Sequence, residues 1–287
     1  MASLKEVKGR IASVNSTRKI TSAMKMVASA KLHKAQAAIE SMLPYERRLH
    51  HILTDFMSNC TKVTSPFIVK REVKKVAVVV FASNTSLCGG FNANVIRHLV
   101  DLLAEYKPLG LENILVFPVG KKVADAVRKL GFRIEGDFQH MADKPSYQEA
   151  ADLAADLMKR FLHGDVDKVE LLYNHFKSTA SQILTRETYL PIDLNNEKKE
   201  EERTIDYILE PSAEELMQEM LPKVLRMKMF TVLLDSNAAE HAARTMAMQI
   251  ATDNANELLQ ELTVMYNKSR QQSITNELLD IVGGSMA

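Results

Sequence analysis

The sequence predicts an α/β protein in which a long antiparallel coiled coil, formed by the N- and C-terminal helices, carries an inserted Rossmann-like α/β domain. Three observations lead there. The ten glycines of this 287-residue chain are unevenly placed: Gly9 stands alone, seven lie from Gly89 to Gly164, and Gly283 and Gly284 close the chain. Glycine is costly inside a helix and common in the turns of α/β folds, so two nearly glycine-free flanks around a glycine-bearing middle imply helix, domain, helix. In both flanks apolar residues recur at steps of three and four. Between them the pattern changes to short apolar runs alternating with amphipathic stretches, which indicates a mostly parallel sheet covered by helices.

In the first flank, 1–57, Leu4, Val7, Ile11 and Val14 form a narrow stripe that resumes at Met24, Ala28, Leu32, Ala35, Ile39 and Met42. Arg18 and Thr21 fall where the stripe should continue, as register-setting or functional polar residues do in coiled coils. This helix is expected to reach about Met57, with Pro44 a possible kink. The last flank, 212–287, opens on Glu210-Pro211-Ser212-Ala213-Glu214-Glu215. There Ser212 can cap the helix and Glu215, three residues on, can complete a capping box. Leu216, Met220, Val224 and Met227 follow, then the alanines 238, 239, 242, 243 and 247, whose small side chains let two helices approach closely. Pro222 is expected to kink the first turns, and Gly283-Gly284 to stop the helix.

At 1.5 Å per residue the two helices would extend about 80 Å and about 105 Å. Both join the middle domain, so an antiparallel pair leaves the longer C-terminal helix overhanging. That overhang, Ile274 to Val282, carries Leu278, Leu279, Ile281 and Val282 with no helix of the chain left to cover them. Such exposed apolar surface marks a partner site.

The middle domain spans 75–195, joined by a linker at 58–74 and by a charged loop and linker at 196–211. Lys75–Ala82, Asn113–Val119, Val169–His175 and Gln182–Leu190 read as strands; Val95–Tyr106, Lys121–Leu130 and Tyr147–Leu162 read as helices. The run Glu197–Arg203 reads as solvated loop.

Composition removes several function classes. With 37 basic and 36 acidic residues the net charge is +1, unlike a dedicated nucleic-acid binder. The longest apolar run, Val76 to Ala82, is far too short to span a bilayer, and MASLKEVKGR lacks the apolar stretch of a signal peptide. A soluble chain is expected. Cys60 and Cys88 show no disulfide or zinc spacing, and the eight histidines include no HExxH, so neither metal nor cofactor is expected. The turn Leu87-Cys88-Gly89-Gly90-Phe91-Asn92 lies where a nucleotide-binding α/β fold puts its phosphate loop, yet it matches neither GxGxxG nor GxxxxGK. It reads as a structural turn, with Cys88 a small buried residue rather than a nucleophile. The first helix is locally basic: Lys5, Lys8, Arg10, Arg18, Lys19, Lys25, Lys31 and Lys34 face only Glu6. A solvated face and an acidic protein partner are both open readings, ahead of nucleic acid.

Arg10-Ile11-Ala12-Ser13-Val14 and Lys19-Ile20-Thr21-Ser22-Ala23-Met24-Lys25-Met26-Val27 resemble the first shaft helix of F-type ATP synthase gamma subunits. Leu87 to Asn92 resembles that family's first α/β turn, and Asp206-Tyr207 with Glu210-Pro211-Ser212 its entry to the second shaft helix. Glu240-His241-Ala242-Ala243-Arg244, Ala251-Thr252-Asp253-Asn254-Ala255, Tyr266 to Gln271 and Ile274 to Leu278 complete a match along essentially the whole chain.

The resemblance implies a non-catalytic rotor shaft of a bacterial enzyme. It would turn within a ring of alpha and beta subunits, with the α/β domain set beside epsilon on the membrane c ring, peripheral to the cytoplasmic face of the inner membrane. It assigns Met24 and Lys25 to the acidic beta lever, and Arg270, Gln271 and Thr275 to catch loops. It places Glu240 and Arg244 in a polar girdle, and Tyr207 and Glu210 near the c ring and epsilon; the apolar overhang itself suggests that Leu278, Leu279 and Ile281 act as a bearing. Ser83-Asn84-Thr85-Ser86 departs from the family's usual Ser-Asp-Arg-Gly. A nucleotide-using enzyme with helical arms and a helical-hairpin nucleic-acid binder are the alternative classes.

Overall fold

A computed structural model describes residues 4–59, 65–192 and 213–285. The chain runs α1 (Leu4–Asn59), β1 (Val76–Phe81), α2 (Phe91–Tyr106), β2 (Ile114–Val119), α3 (Lys121–Leu130), β3 (Arg133–Ile134), α4 (Gln139–Asp143), α5 (Tyr147–His163), β4 (Lys168–Ser178), β5 (Ser181–Leu190) and α6 (Ala213–Ser285). The terminal helices are 56 and 73 residues long and pack against each other. Both continue through their prolines, Pro44 and Pro222. α6 also runs through Gly283 and Gly284 to Ser285, so the expected glycine stop is not where the helix ends. Glycine weakens a helix by about 1 kcal/mol without removing a hydrogen bond, and so permits what it disfavours. The capping residue Ser212, the charged run 197–203, Cys60, Tyr207 and Glu210 lie outside the described residues.

The five strands lie in the order β3-β2-β1-β4-β5, with β1 to β4 parallel and β5 antiparallel to β4. Alternation along the central strand β1 divides the core. Val76, Val78 and Val80 face Val95, Leu99, Leu103, Val123 and Val127 of α2 and α3. Ala77, Val79 and Phe81 face Leu153, Leu157 and Phe161 of α5, and with them Leu221, Leu225, Met229, Val232 and Leu233 of α6. Both faces of β1 are therefore buried, which explains its unbroken apolar run. α2 starts at Phe91, four residues earlier than the pattern suggests, because Phe91 turns toward α6 rather than toward the sheet.

The long C-terminal helix is thus a layer of the α/β domain as well as half of the coiled coil. From Phe230 to Ala243 every residue except Asp235 is buried, as in a helix enclosed on all sides. The alanines divide between two neighbours: Ala238 and Ala242 pack on Leu32 and Ala35 of α1, while Ala239 and Ala243 pack on Cys88 and Phe91.

On β4, Glu170 is almost fully buried and accepts hydrogen bonds from Lys168, Tyr106 and Arg186. Burial alone would raise its pKa, but the bonds from Arg186, Lys168 and Tyr106 outweigh it and hold the carboxylate below its ordinary value.

The polar interruption of the first helix is a cross-helix rung. Thr252 Oγ1 lies 2.8 Å from Thr21 Oγ1, and Arg18 Nη1 donates to Asn256 Oδ1 at 3.3 Å. The rung accounts for both positions at which the apolar stripe fails. Thr21→Val alone should cost about 1 kcal/mol, because Thr252 loses its cross-helix partner. The pair Thr21→Val with Thr252→Val should recover most of that loss in a thermal or denaturant melt.

Candidate functional site

The residues singled out from sequence fall into three places on the shaft. Met24 and Lys25 lie on α1, three and four residues beyond the Thr21 rung, and both are half-buried. Ile20, Met26 and Val27 beside them are exposed, at 59%, 66% and 58%. Arg270, Gln271, Thr275, Leu278, Leu279 and Ile281 lie beyond the last buried residue of α6, Leu262. Every residue from Arg270 to Val282 is exposed, with Leu278 at 58%, Leu279 at 63% and Ile281 at 68%. The overhang expected from helix lengths is present and begins before Ile274. Thr275 Oγ1 donates back to the Gln271 carbonyl at 2.9 Å.

Glu240 and Arg244 stand elsewhere, inside the junction of shaft and domain. Arg244 Nη2 donates to Glu240 Oε1 at 2.7 Å, with side chains only 11% and 10% exposed, and Arg244 Nη1 donates to the Ser86 carbonyl at 2.5 Å. Burial raises the Glu240 pKa, against the pull of Arg244. Their spacing of four along a helix suggests an ion pair from sequence alone. Its burial against residues 83–92 does not show in any local pattern.

That turn is built for the contact. Ser83 is buried, donates through Oγ to the Thr85 carbonyl at 2.6 Å, and accepts from Asn92 Nδ2 at 2.7 Å. Asn92 Nδ2 also approaches Cys88 Sγ at 3.1 Å, and Cys88 is buried against α6 as a small core residue. Asn84 ties the turn down, donating to the Gln139 carbonyl and accepting from the Lys121 backbone N–H, each at 2.8 Å. Leu87 and Gly89 take positive φ values of 69° and 59°. A Cβ on Gly89 would lie 3.8 Å from that of Ala247. The turn's polar groups are engaged in hydrogen bonds of its own, and its buried side chains pack on α6.

Nearer its N-terminus α6 is tied to the domain at four more points. Asp235 accepts from the Phe176 backbone N–H at 2.8 Å and pairs with His175 Nδ1 at 2.6 Å. Buried Asn237 donates to the Ala142 carbonyl at 2.9 Å. Lys228 pairs with Glu187 at 2.9 Å, and Tyr189 Oη donates to the Leu225 carbonyl at 2.8 Å. These ties were not foreseen from sequence, since their partners are brought together by the fold alone. Among the described residues no group of three or more His, Cys, Asp or Glu could hold a metal ion, and no helix is long and apolar enough to cross a membrane.

Comparison with known proteins places this architecture. The family model described as ATP synthase matches residues 3–287. The chain is 81% identical to the ATP synthase gamma chain of Phocaeicola vulgatus, over 100% of both chains. It is 52% identical to that of Parabacteroides distasonis over 99% of both, and 43% identical to that of Flavobacterium johnsoniae over 100% of this chain and 99% of the other. Among solved structures, a chain of the Euglena gracilis mitochondrial ATP synthase, in an OSCP/F1/c-ring structure, superposes with a TM-score of 0.64 at 20% identity, covering 99% of this chain and 93% of that one. A chain from the Tetrahymena thermophila central stalk and c ring gives 0.55 at 23%, covering 81% and 99%. With the family model spanning residues 3–287 and a gamma chain 81% identical over the full length of both, the chain belongs to the ATP synthase gamma chain family.

Proposed function

We propose that this chain is the central rotor shaft of a proton-translocating F-type ATP synthase. It turns within a ring of alternating alpha and beta subunits, with its α/β domain docked to an epsilon subunit and to the membrane c ring. The catalytic sites lie mainly on beta, and the chain is held at the cytoplasmic face of a bacterial inner membrane through its partners. The observation that carries the reading is the continuity of α6. One helix is a buried layer of the α/β domain at Leu221–Leu234, half of a coiled coil beyond it, and an exposed rod at Arg270–Val282. Torque applied to the domain then reaches the far tip through a single hydrogen-bonded helix, with no loop between them to absorb the twist.

Within this proposal the shaft has distinct contact zones. Lys25, with Met24, faces acidic loops of beta during part of the turn. Arg270, Gln271 and Thr275 act as an angular catch, and Leu278, Leu279 and Ile281 as an apolar bearing. Tyr207 and Glu210, in the connector 196–211, meet epsilon and the c ring. Glu240 and Arg244 serve coupling from inside, through their clasp on Ser86, in place of an exposed polar girdle. The division into shaft helices at 1–57 and 212–287, a linker at 58–74 and a domain at 75–195 belongs to the same proposal.

A catch depends on defined donors and acceptors, whereas a bearing must slide past non-identical surfaces and tolerates change of apolar detail. Gln271→Leu and Arg270→Leu are therefore expected to lower ATP turnover several-fold in the fully assembled complex, and Leu279→Met to be nearly silent. Hydrolysis and ATP-driven pumping in matched preparations check this. Normal turnover in both polar variants with a large loss in Leu279→Met would reverse the assignment.

A further inference from the structure

His241 lies in the buried stretch of α6, between the members of the Glu240–Arg244 pair, and is only 7% exposed. Its Nδ1 is buried and has no hydrogen-bond partner among the described residues. Its neighbours Ala238 and Ala242 pack on Leu32 and Ala35 of α1, and Asn237 reaches the carbonyl of Ala142 in α4. The ring thus sits where both shaft helices and the α/β domain meet.

Charged groups of α1, α4 and α6 act on it. Lys31 of α1 and Arg244 of α6 are cations, and Asp143, at the end of α4, is the anion that would favour a proton. Glu240 is engaged by Arg244. The turn 83–92 brings no acidic or basic side chain, and His175 of β4 is paired with Asp235. Burial first, then Lys31 and Arg244, push the imidazole pKa down from 6.5 to about 4.

We propose that His241 is an acid-sensitive latch: while its ring is neutral the junction of α1, α6 and the α/β domain stays closed, and protonation opens it. An imidazolium there would be only 7% exposed, with no acceptor at Nδ1 and with Lys31 and Arg244 opposing its charge against Asp143. It reaches solvent only if one of the three enclosing elements moves away. Because the folded pKa lies below the unfolded one, the stability contributed by the neutral ring is complete above about pH 6.5 and is lost as pH falls towards 4. The latch weakens in acid at a point through which both shaft helices grip the domain.

The test compares the full-length wild-type chain with His241→Gln, which keeps a neutral polar side chain that cannot take a proton. Denaturant midpoints are measured at pH 7.5 and pH 5.5. Between these values the folding equilibrium constant of the wild type should fall about tenfold further than that of the variant. A merely structural role would lower the variant's stability equally at both pH values and leave this difference at zero. Equal losses overturn the proposal, and His241→Asn supplies the comparison if the glutamine variant does not fold. Hydrogen exchange, corrected for its intrinsic pH dependence, gives the second readout. Residues 83–92 and 139–143 should lose protection at pH 5.5 in the wild type, and unchanged protection there also overturns it.

Discussion

Arg244→Leu is expected to destabilise the chain by about 3 kcal/mol at pH 7.5, more than any other polar substitution on the shaft. Two losses combine. Glu240, itself 8% exposed, is left as a buried carboxylate without its cation, and the Ser86 carbonyl loses the donor that joins the turn to α6. The size of the penalty depends on pH with a sign the structure dictates. Burial already raises the Glu240 pKa, and without Arg244 it would rise further above the unfolded value. A carboxyl with a raised folded pKa binds protons more tightly when folded, so the penalty should shrink as pH falls from 7.5 towards 5. Adding Glu240→Gln removes the stranded charge and should recover about half of the loss. Denaturant midpoints for the two single variants and the double variant at both pH values check this. A penalty under about 0.5 kcal/mol, or one that grows in acid, would mean the pair is solvated and not a clasp.

Gly120→Ala should cost about 3 kcal/mol or more and compromise folding, whereas Gly131→Ala should cost only about 1 kcal/mol. Both glycines have positive φ, 115° and 76°, so both substitutions meet backbone strain. The difference is space. A Cβ on Gly131 would meet nothing within 4 Å, but one on Gly120 would lie 2.2 Å from the carbonyl oxygen of Ala82 and 2.8 Å from its carbon. That backbone cannot step aside: the Ala82 N–H is bonded to the Val119 carbonyl at 2.8 Å, and the Ser83 carbonyl accepts from Lys122 at 3.1 Å. Retreat would pull β1 from the centre of the sheet and disturb the turn that Arg244 grips. Thermal melts of the two variants side by side separate clash from strain.

Much of this architecture was legible because long-period patterns are averaged over many residues. The stripe from Leu4 to Met42 predicts a helix, and its failure at Arg18 and Thr21 coincides with the polar rung to Asn256 and Thr252. The overhang follows from counting, since a 73-residue helix cannot be covered by one of 56. The cluster of glycines around the strands located the domain for a similar reason. β3, with two residues, and α4, with five, are too short to leave a period and were not foreseen.

The larger gap concerned α6. An alanine-rich stretch was read as one close contact with α1, yet Ala238 and Ala242 serve α1 while Ala239 and Ala243 serve the domain. The signal existed: Met229-Phe230-Thr231-Val232-Leu233-Leu234 is apolar at every position but Thr231, which a two-helix coiled coil does not require. For the same reason Glu240 and Arg244, assigned by resemblance to a partner surface, lie inside the junction. Spacing along a helix gives direction around its axis, but not which directions a domain distant in sequence will cover.

If the chain is the proposed rotor, the α/β domain and the shaft turn as one body during ATP hydrolysis by the assembled complex. The direct measurement is single-molecule rotation in the assembled complex, with the alpha and beta head held on a surface. A probe is attached through Lys107→Cys, an exposed position in the turn after α2, in a background where Cys60 is serine and Cys88 is buried. Unidirectional, stepwise rotation of the probe is expected, needing ATP and stopping when hydrolysis is inhibited. A complex that hydrolyses ATP at full rate while the probe on the α/β domain stays still would contradict the proposal.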